Sequence, residues 1–339
     1  MTLTSSPNLR STYAEISAKA GVSKATVSRV MNGDERVHPD RAKAVLLAAE
    51  KLGYRPNRAA RALSTGQTGL IAVVIDDEPT ALSDPFWGVV LAGISRVFMA
   101  NGLHSLLMVT PLDSPDGAVA HYLEGGEVDG AIFLQVHKDA VIKSAHAKGL
   151  PVVLIGRPVD AESDIPFVDT DNEDGAFQAT NYLFKRGCKN VATLTGDIEA
   201  SAGIDRLSGY KKAHEQANKK FNPDLVANCD WTFESAKIMT LRLLARNSEI
   251  DGIFAANDTM ALGAIAACQE RGRLVPDEIS VVGFDDSIIA QTHRPGVTTV
   301  RQDIVGLGAA AAETMIALLQ KRIPEIAMLP TEIVIRETA

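Results

Sequence analysis

The sequence predicts an α/β protein with a small three-helix head and a body of two doubly wound, parallel-sheet lobes. Three observations carry that reading. The chain is 339 residues long, too long for one core when domains run to about 100–200 residues. Beyond residue 68 it alternates apolar runs of strand length with amphipathic stretches, the βαβ pattern of a parallel sheet. Its charge is also uneven. Residues 1–68 hold 11 Lys and Arg against 5 Asp and Glu, a balance of +6 in a chain of net charge −8. A basic head on an acidic body suits a polyanionic partner for the head alone.

Composition narrows the class further. Apolar residues make up 46% and charged residues 22%, the values of a globular chain rather than a disordered one. Apolar runs such as LIAVVI (70–75) fall well short of the ~20 residues that span a bilayer. The opening MTLTSSPNLRSTYAEI has no apolar core behind a basic start, so it does not read as a secretory signal. Cys188, Cys229 and Cys268 are far apart and odd in number. They form no disulfide framework or four-thiolate zinc site, and they fit a reducing cytoplasm.

The head comes first along the chain. Thr12-Tyr13-Ala14-Glu15 reads as a capping box opening a short helix, with Ile16 and Ala20 on one face and Gly21 as its left-handed stop. Ser23 then caps a second helix from Lys24 to about Met31, with Val27 and Val30 inward, ended by Asn32-Gly33. Two short helices joined by a tight glycine turn form a helix-turn-helix. Pro39 opens a third helix through Leu52, stopped by Gly53. Its Val45, Ala49 and Leu52 close a small core over Ile16, Val22, Val27 and Val30.

The second helix exposes Lys24, Ala25, Ser28 and Arg29, and in this motif its N-terminal part enters the major groove of DNA. Arg29 can pair twice with guanine, and the Ala25 methyl can pack on a thymine methyl. Lys24 can read a base or hold a phosphate. Thr12, Ser23, Thr26 and Asn32 carry the short polar groups that grip phosphates at helix ends.

The stretch Asn57–Leu63 holds helix formers but is shorter than the ~12 residues an isolated helix needs in water. It reads as a hinge that coils only when docked. Its one large apolar side chain, Leu63, either packs on the body or wedges between bases in a minor groove.

TYAEISAKAGVSKATVSRVMNG and VHPDRAKAVLLAAEKLGYRPNRAARAL resemble the DNA-binding head and hinge of the lactose-repressor/galactose-repressor family. That resemblance implies base reading by Lys24, Ala25 and Arg29. It also implies a hinge helix over 57–63, with Leu63 of two subunits prying open the centre of a palindromic operator. Tyr54, Asn57 and Arg58 join the candidate DNA contacts. A homodimer, or a dimer of dimers, is then required. The C-terminal TEIVIRETA adds no heptad helix, which favours the dimer.

In the body, strands are expected at 70–75, 103–109, 129–134, 151–156, 190–196, 251–256, 279–284 and 331–337. Amphipathic stretches at 86–100, 172–186, 204–218, 233–246 and 258–271 separate most of them. Asp129-Gly130-Ala131-Ile132-Phe133 is echoed by Asp251-Gly252-Ile253-Phe254, a faint repeat that suits two similar lobes with a cleft between them. The expected boundaries are 1–56 for the helix-turn-helix head and 57–68 for the hinge. The first lobe takes 69–170 plus 301–329, and the second takes 171–300 plus 330–339.

Ligands bind where such strands end, so the polar residues there are the site candidates. They are Asp76, Asp77, Asp84, Arg157, Asp169, Asp171, Asn172, Asp197, Arg206, Asn257 and Asp285, with Phe86, Trp87 and Trp231 as apolar platforms. Paired donors and acceptors around an aromatic face suit the hydroxyls and apolar faces of a sugar. Asp174, Asp258 and Asp286 are better suited to capping helices than to touching a ligand.

RLSGY (206–210), DGIFAANDTMALGAI (251–265), ISVVGFDDS (279–287) and TTVRQD (298–303) extend the resemblance to the family's periplasmic-binding-protein-like effector body. It implies effector contacts at Arg206, Asn257 and Asp285. It also implies crossings between lobes near Asp169–Asn172, Thr298–Gln302 and Leu329–Thr331. SDPFWGVVLAGI, IGRPVD, IPFVDTDN and SAGIDRLSGY are most similar to actinobacterial regulators of cellobiose and related glucoside use. The resulting effector set is Asp84, Phe86, Trp87, Arg157, Asp171, Arg206, Trp231, Asn257 and Asp285.

Other chemistries find little support. Gly306-Leu307-Gly308-Ala309-Ala310-Ala311 matches G-x-G-x-x-A, but it runs into AAAETMIALLQ as one helix with small residues for close packing, so no dinucleotide cofactor is expected. The seven His show no ligand pair at helix spacing, so no metal is expected. No G-x-S-x-G elbow is present, and no catalytic residue is assigned. The expected function is a ligand-responsive transcription regulator, a repressor of the family's kind, with a mono- or disaccharide effector. A sugar-binding protein with a vestigial head and a sugar-modifying enzyme are the rivals.

Overall fold

In the computed structural model, the described residues are 12–31, 34, 36–54, 66–75, 84–109, 117–134, 140–160 and 162–339. The chain divides into two units, Met1–Thr68 and Gly69–Ala339.

The first unit holds helices α1 (Tyr13–Ala20), α2 (Lys24–Met31) and α3 (Pro39–Lys51). Thr12 and Glu15 make the reciprocal capping box, with the Thr12 N–H donating to Glu15 Oε2 at 2.7 Å. Gly21 ends α1 at φ 65°. Ile16, Val27, Val45, Ala48 and Ala49 form the core, and Val22, Val30, Leu52 and Tyr54 pack around it.

In the second unit the order is β1 (Leu70–Ile75), α4 (Pro85–Ala100), β2 (His104–Val109), α5 (Ala118–Glu124), β3 (Gly130–Leu134), α6 (Ala140–Ala147), β4 (Val152–Ile155) and β5 (Phe167–Thr170). Then come α7 (Asn172–Lys185), β6 (Val191–Thr195), α8 (Ser201–Gln216), β7 (Val226–Asn228), α9 (Phe233–Arg246), β8 (Gly252–Ala255) and α10 (Asp258–Glu270). The chain closes with β9 (Ser280–Asp285), α11 (Ile288–Thr292), β10 (Thr298–Gln302), α12 (Ile304–Leu319), β11 (Ala327–Leu329) and β12 (Thr331–Val334).

Two sheets result. The first runs β11-β5-β4-β3-β1-β2 and the second β12-β10-β9-β8-β6-β7. Neighbours pair in parallel except β10 with β12. The central strands β1, β3, β4 and β8 are apolar and buried on both faces, because helices cover both. In the first sheet Ile71, Val73 and Ile75 face α4 and α12, while Ala72 and Val74 face α5 and α6. The second sheet packs α9 and α10 on one face and α7 and α8 on the other. The chain passes from one sheet to the other after Thr170, after Gln302 and after Leu329.

Several boundaries differ from the sequence reading. The expected strand 331–337 ends at Val334, and the expected 279–284 runs on to Asp285. Strands β5, β7, β10 and β11 have three to five residues each, too few for periodicity to mark them. The same holds for the short helices α5, α6 and α11. The glycines of Gly306-x-Gly308 serve packing. A Cβ on Gly308 would lie 2.2 Å from the Val90 carbonyl oxygen, and one on Gly93 would lie 2.3 Å from that of Val305. Helices α4 and α12 therefore meet backbone to backbone.

Candidate functional site

On the head, the candidate surface is the outer face of α2. Lys24, Ala25 and Arg29 are exposed and Ser28 is half-buried, while Val27 holds the helix to the core. A helix repeats every 3.6 residues, so Ala25 and Arg29 share one face a turn apart. Ser23 Oγ accepts from the Thr26 N–H at 3.1 Å and contacts Thr26 Oγ1 at 2.9 Å, so both hydroxyls cluster at the start of α2. Tyr54 is half-buried with its ring 5.6 Å from that of Tyr13, so much of its surface serves the head core. Asn32, Asn57, Arg58 and Leu63 lie outside the described residues, as do Asp76 and Asp77.

In the body, a cleft of about 1170 Å³ opens where the strands of both sheets end. Asp84, Phe86, Trp87, Arg157, Arg206, Trp231, Asn257 and Asp285 all line it. Asp171 does not. Its carboxylate caps α7 by accepting from the Asp174 N–H at 3.0 Å. Its neighbours Asp169 and Asn172 face the cleft instead. The effector assignment of Asp171 is corrected accordingly: it is the single residue between the end of β5 at Thr170 and the start of α7 at Asn172, and it caps the helix.

The expected caps shift by a residue or more elsewhere. Asn257, not Asp258, caps α10, accepting from the Met260 N–H at 2.8 Å. Asp258 accepts instead from the Ser287 N–H (2.7 Å), Ser287 Oγ (2.8 Å) and Thr299 Oγ1 (2.5 Å). Asp286 precedes the Ser287 cap of α11 and binds Arg301 and Arg336. Asp174 lies inside α7.

Arg206 is the centre of the cleft. It projects from α8 and is buried. Its Nε donates to Asn172 Oδ1 at 2.9 Å, its Nη1 donates to the Ala256 carbonyl, and its Nη2 lies 3.7 Å from Asp285 Oδ1. The guanidinium carbon sits 3.7 Å from the Phe284 ring centre and 5.5 Å from that of Trp231. Burial pushes the Arg206 guanidinium down from its ordinary value, against the pull of Asp285, Asp169, Asp258 and Asp84. The Asp285 carboxyl is pushed well up by burial, with Arg206 opposing. Burial raises Asp84 and Asp169 too. The site thus keeps charges out of water at a cost, and such a pair is weak evidence for stability.

The aromatic wall is specific. Trp231 holds a left-handed φ of 70°. Its carbonyl accepts from Asn257 Nδ2 at 3.1 Å, and its indole Nε1 is buried without a hydrogen-bond partner. The indole lies over Gly196, where a Cβ would come 2.0 Å from the ring. Phe86 and Trp87 meet edge to face at 5.1 Å. Among the described residues, contacts join the walls across the cleft: Arg157 makes a two-point ion pair with Asp205 at 2.8 and 2.5 Å, and Asn257 Nδ2 reaches Asp84 Oδ2 at 3.3 Å. Arg157 is therefore occupied at the rim, while Arg206 and Asp285 point inward.

Gln302 also lines the cleft and donates to Asp285 Oδ1 at 2.6 Å. Sequence reasoning did not single it out, because only the pairing of β10 beside β9 brings it there. Among the described residues no group of three or more His, Cys, Asp or Glu is placed to hold a metal ion. No helix among them is long and apolar enough to cross a membrane.

Comparison with known proteins covers both units of the chain. Residues 12–57 match the model of bacterial regulatory proteins of the lacI family, and residues 180–339 match a periplasmic binding protein-like domain. The chain is 34% identical to the HTH-type transcriptional regulator CelR of Thermobifida fusca over 334 residues, covering 97% of this chain and 98% of that one. A solved structure described as the transcriptional regulator CelR-cellobiose complex superposes with a TM-score of 0.77 at 32% identity, covering 97% of this chain and 100% of the other. The lac repressor dimer bound to operator and the anti-inducer ONPF superposes at 0.84 with 27% identity, covering 97% and 99%. With a helix-turn-helix head, a two-sheet body and relatives matched nearly end to end, the chain belongs to the lacI family of bacterial regulatory proteins.

Proposed function

We propose that this protein represses transcription by holding a palindromic operator, and that a disaccharide, cellobiose or a related glucoside, bound in the cleft controls that hold. On this reading it works in the cytoplasm as a homodimer whose two heads meet the two halves of the palindrome. Family membership places it among transcription regulators, and the α2 face presents the residue types that read base edges.

The observation that carries the sugar assignment is the buried Arg206–Asp285 pair, flanked by Asn257 and an indole N–H that lacks a partner. A sugar ring offers vicinal hydroxyls that donate to Asp285 and accept from Arg206 and Trp231 Nε1. Its C–H face suits the Trp231 and Phe86 rings. The volume of about 1170 Å³ is large for a small-molecule site and leaves room for two rings rather than one. The solved relative carrying cellobiose supports the same class.

Control follows from linkage. A sugar that touches both walls favours one lobe arrangement, and each arrangement presents the paired heads differently to the half-sites. The test is anisotropy of an inverted-repeat duplex, selected by the full-length protein from a random library, with and without cellobiose. A coupling of ~1–3 kcal/mol weakens binding about 5–150-fold. Operator affinity that does not move with cellobiose would falsify the assignment.

A further inference from the structure

We infer that Gln302 and Thr170 form a positioning relay, which carries the occupancy of the Asp285 carboxylate to the two strand ends where the chain first crosses between lobes. The inference rests on the sugar-sensing reading of the cleft.

Five buried residues close a ring around the crossings, Arg206, Asn172, Thr170 (through its backbone carbonyl and its hydroxyl), Gln302 and Asp285, with buried Asp169 as a branch. Arg206 Nε donates to Asn172 Oδ1 at 2.9 Å. Asn172 Nδ2 donates to the Thr170 carbonyl and to Asp169 Oδ1, both at 3.0 Å. Thr170 Oγ1 donates to Gln302 Oε1 at 2.7 Å, and Gln302 Nε2 donates to Asp285 Oδ1 at 2.6 Å. Asp285 Oδ1 returns to Arg206 Nη2 at 3.7 Å.

The ring has a direction. Gln302 turns its NH₂ toward Asp285 and its carbonyl toward Thr170, whose hydroxyl then donates, because an amide carbonyl oxygen only accepts. A sugar hydroxyl donating to Asp285 Oδ1 competes with Gln302 for the same oxygen, and the amide must shift or turn. The Thr170 bond changes with it.

That bond sits at the crossings between the two lobes. Thr170 ends β5 and Gln302 ends β10, each one residue before the cap of the helix that leads into the other lobe. The two are 132 positions apart in sequence, and their bond ties the two crossings side by side. Gln302 lines the cleft and Thr170 does not. Replacing Thr170 therefore leaves the ligand-facing side chains in place while cutting the relay behind them.

The experiment uses full-length Thr170→Val, near-isosteric without the donor, and Thr170→Ser, which restores it. Cellobiose affinity is read by calorimetry, and operator affinity by anisotropy with and without saturating cellobiose. In Thr170→Val the cellobiose Kd stays within about threefold of wild type, while the ratio of operator affinities falls toward unity, at least about fivefold below wild type. Thr170→Ser keeps the wild-type ratio. Should Thr170→Val fold poorly, Thr170→Ala is read in the same way. A Thr170→Val that couples like wild type, or one that loses cellobiose affinity and coupling together, overturns the relay and leaves the sugar reading standing. A wild-type protein indifferent to cellobiose overturns both.

Discussion

At the scale of single residues, the cleft is a place where this chain spends stability on a ligand. Asp285 and Asp286 hold left-handed φ values of 109° and 55°, a conformation that costs on the order of 1–3 kcal/mol at a non-glycine residue. Gln302 and Arg206 hold the first, and Arg301 and Arg336 hold the second. The Asp285→Asn variant keeps the size and shape of the side chain at that turn but replaces the carboxyl that faces Arg206 with an amide. It should bind operator and fail to respond to cellobiose. Release of operator by cellobiose from that variant, seen by anisotropy, would remove Asp285 from the site. Gly196→Ala tests the aromatic wall alone, since the new methyl meets the Trp231 ring at 2.0 Å. Cellobiose affinity should fall about tenfold or more, as a displaced stacking face costs ~1.5 kcal/mol, with sugar-free operator affinity unchanged. On the head, Arg29→Ala should cost about 1–3 kcal/mol on the selected operator and relax preference at one position of each half-site. Equal losses on operator and random duplex would mean that Arg29 grips phosphate only.

At the scale of elements, helix ends and helix crossings govern. The Thr12–Glu15 box satisfies the first N–H groups of α1 in a head with only five buried apolar residues among those described. In so small a core one cap is a sizeable share of stability. The crossing of α4 on α12 depends on Gly93 and Gly308. Gly93→Val would drive a branched side chain into the Val305 carbonyl and should destabilise the body by about 1–3 kcal/mol through overpacking. Denaturant unfolding followed by tryptophan fluorescence reports it, because Trp87 sits on α4. An unchanged midpoint would mean that the helices can slide apart at no cost.

At the scale of the whole molecule, buried acid decides the pH response of the body. Burial pushes the Asp258 carboxyl up to about 7, against its bonds from Thr299 and Ser287, and it raises Asp285, Asp169 and Asp84 as well. Unfolded aspartates titrate near 3.9, so between about 3.9 and about 7 the unfolded chain binds fewer protons than the folded one. Their contribution to stability is full below that window and is lost as pH rises through it. The body's melting temperature should therefore fall from pH 5 to pH 8, and Asp258→Asn should flatten the slope. A melting temperature that climbs over that range, measured by calorimetry, would show these groups ionised throughout.

The sequence by itself determined the local features of this protein. Thr12, Gly21, Ser23 and Pro39 announced the head, because capping and turn chemistry act within four residues. The central strands LIAVVI and DGAIFL were legible, because a strand buried on both faces must be apolar throughout. Most cleft residues were legible too, since strand ends and ligand sites coincide in this fold. Tertiary structure alone decided the rest. It separated Asp169 and Asn172 from Asp171, gave Asp258 to Ser287 and Thr299, and brought Gln302 from 132 positions away to Thr170. A polar side chain in a buried site takes its meaning from the groups that satisfy its hydrogen bonds, and only the pairing of distant strands supplies those groups.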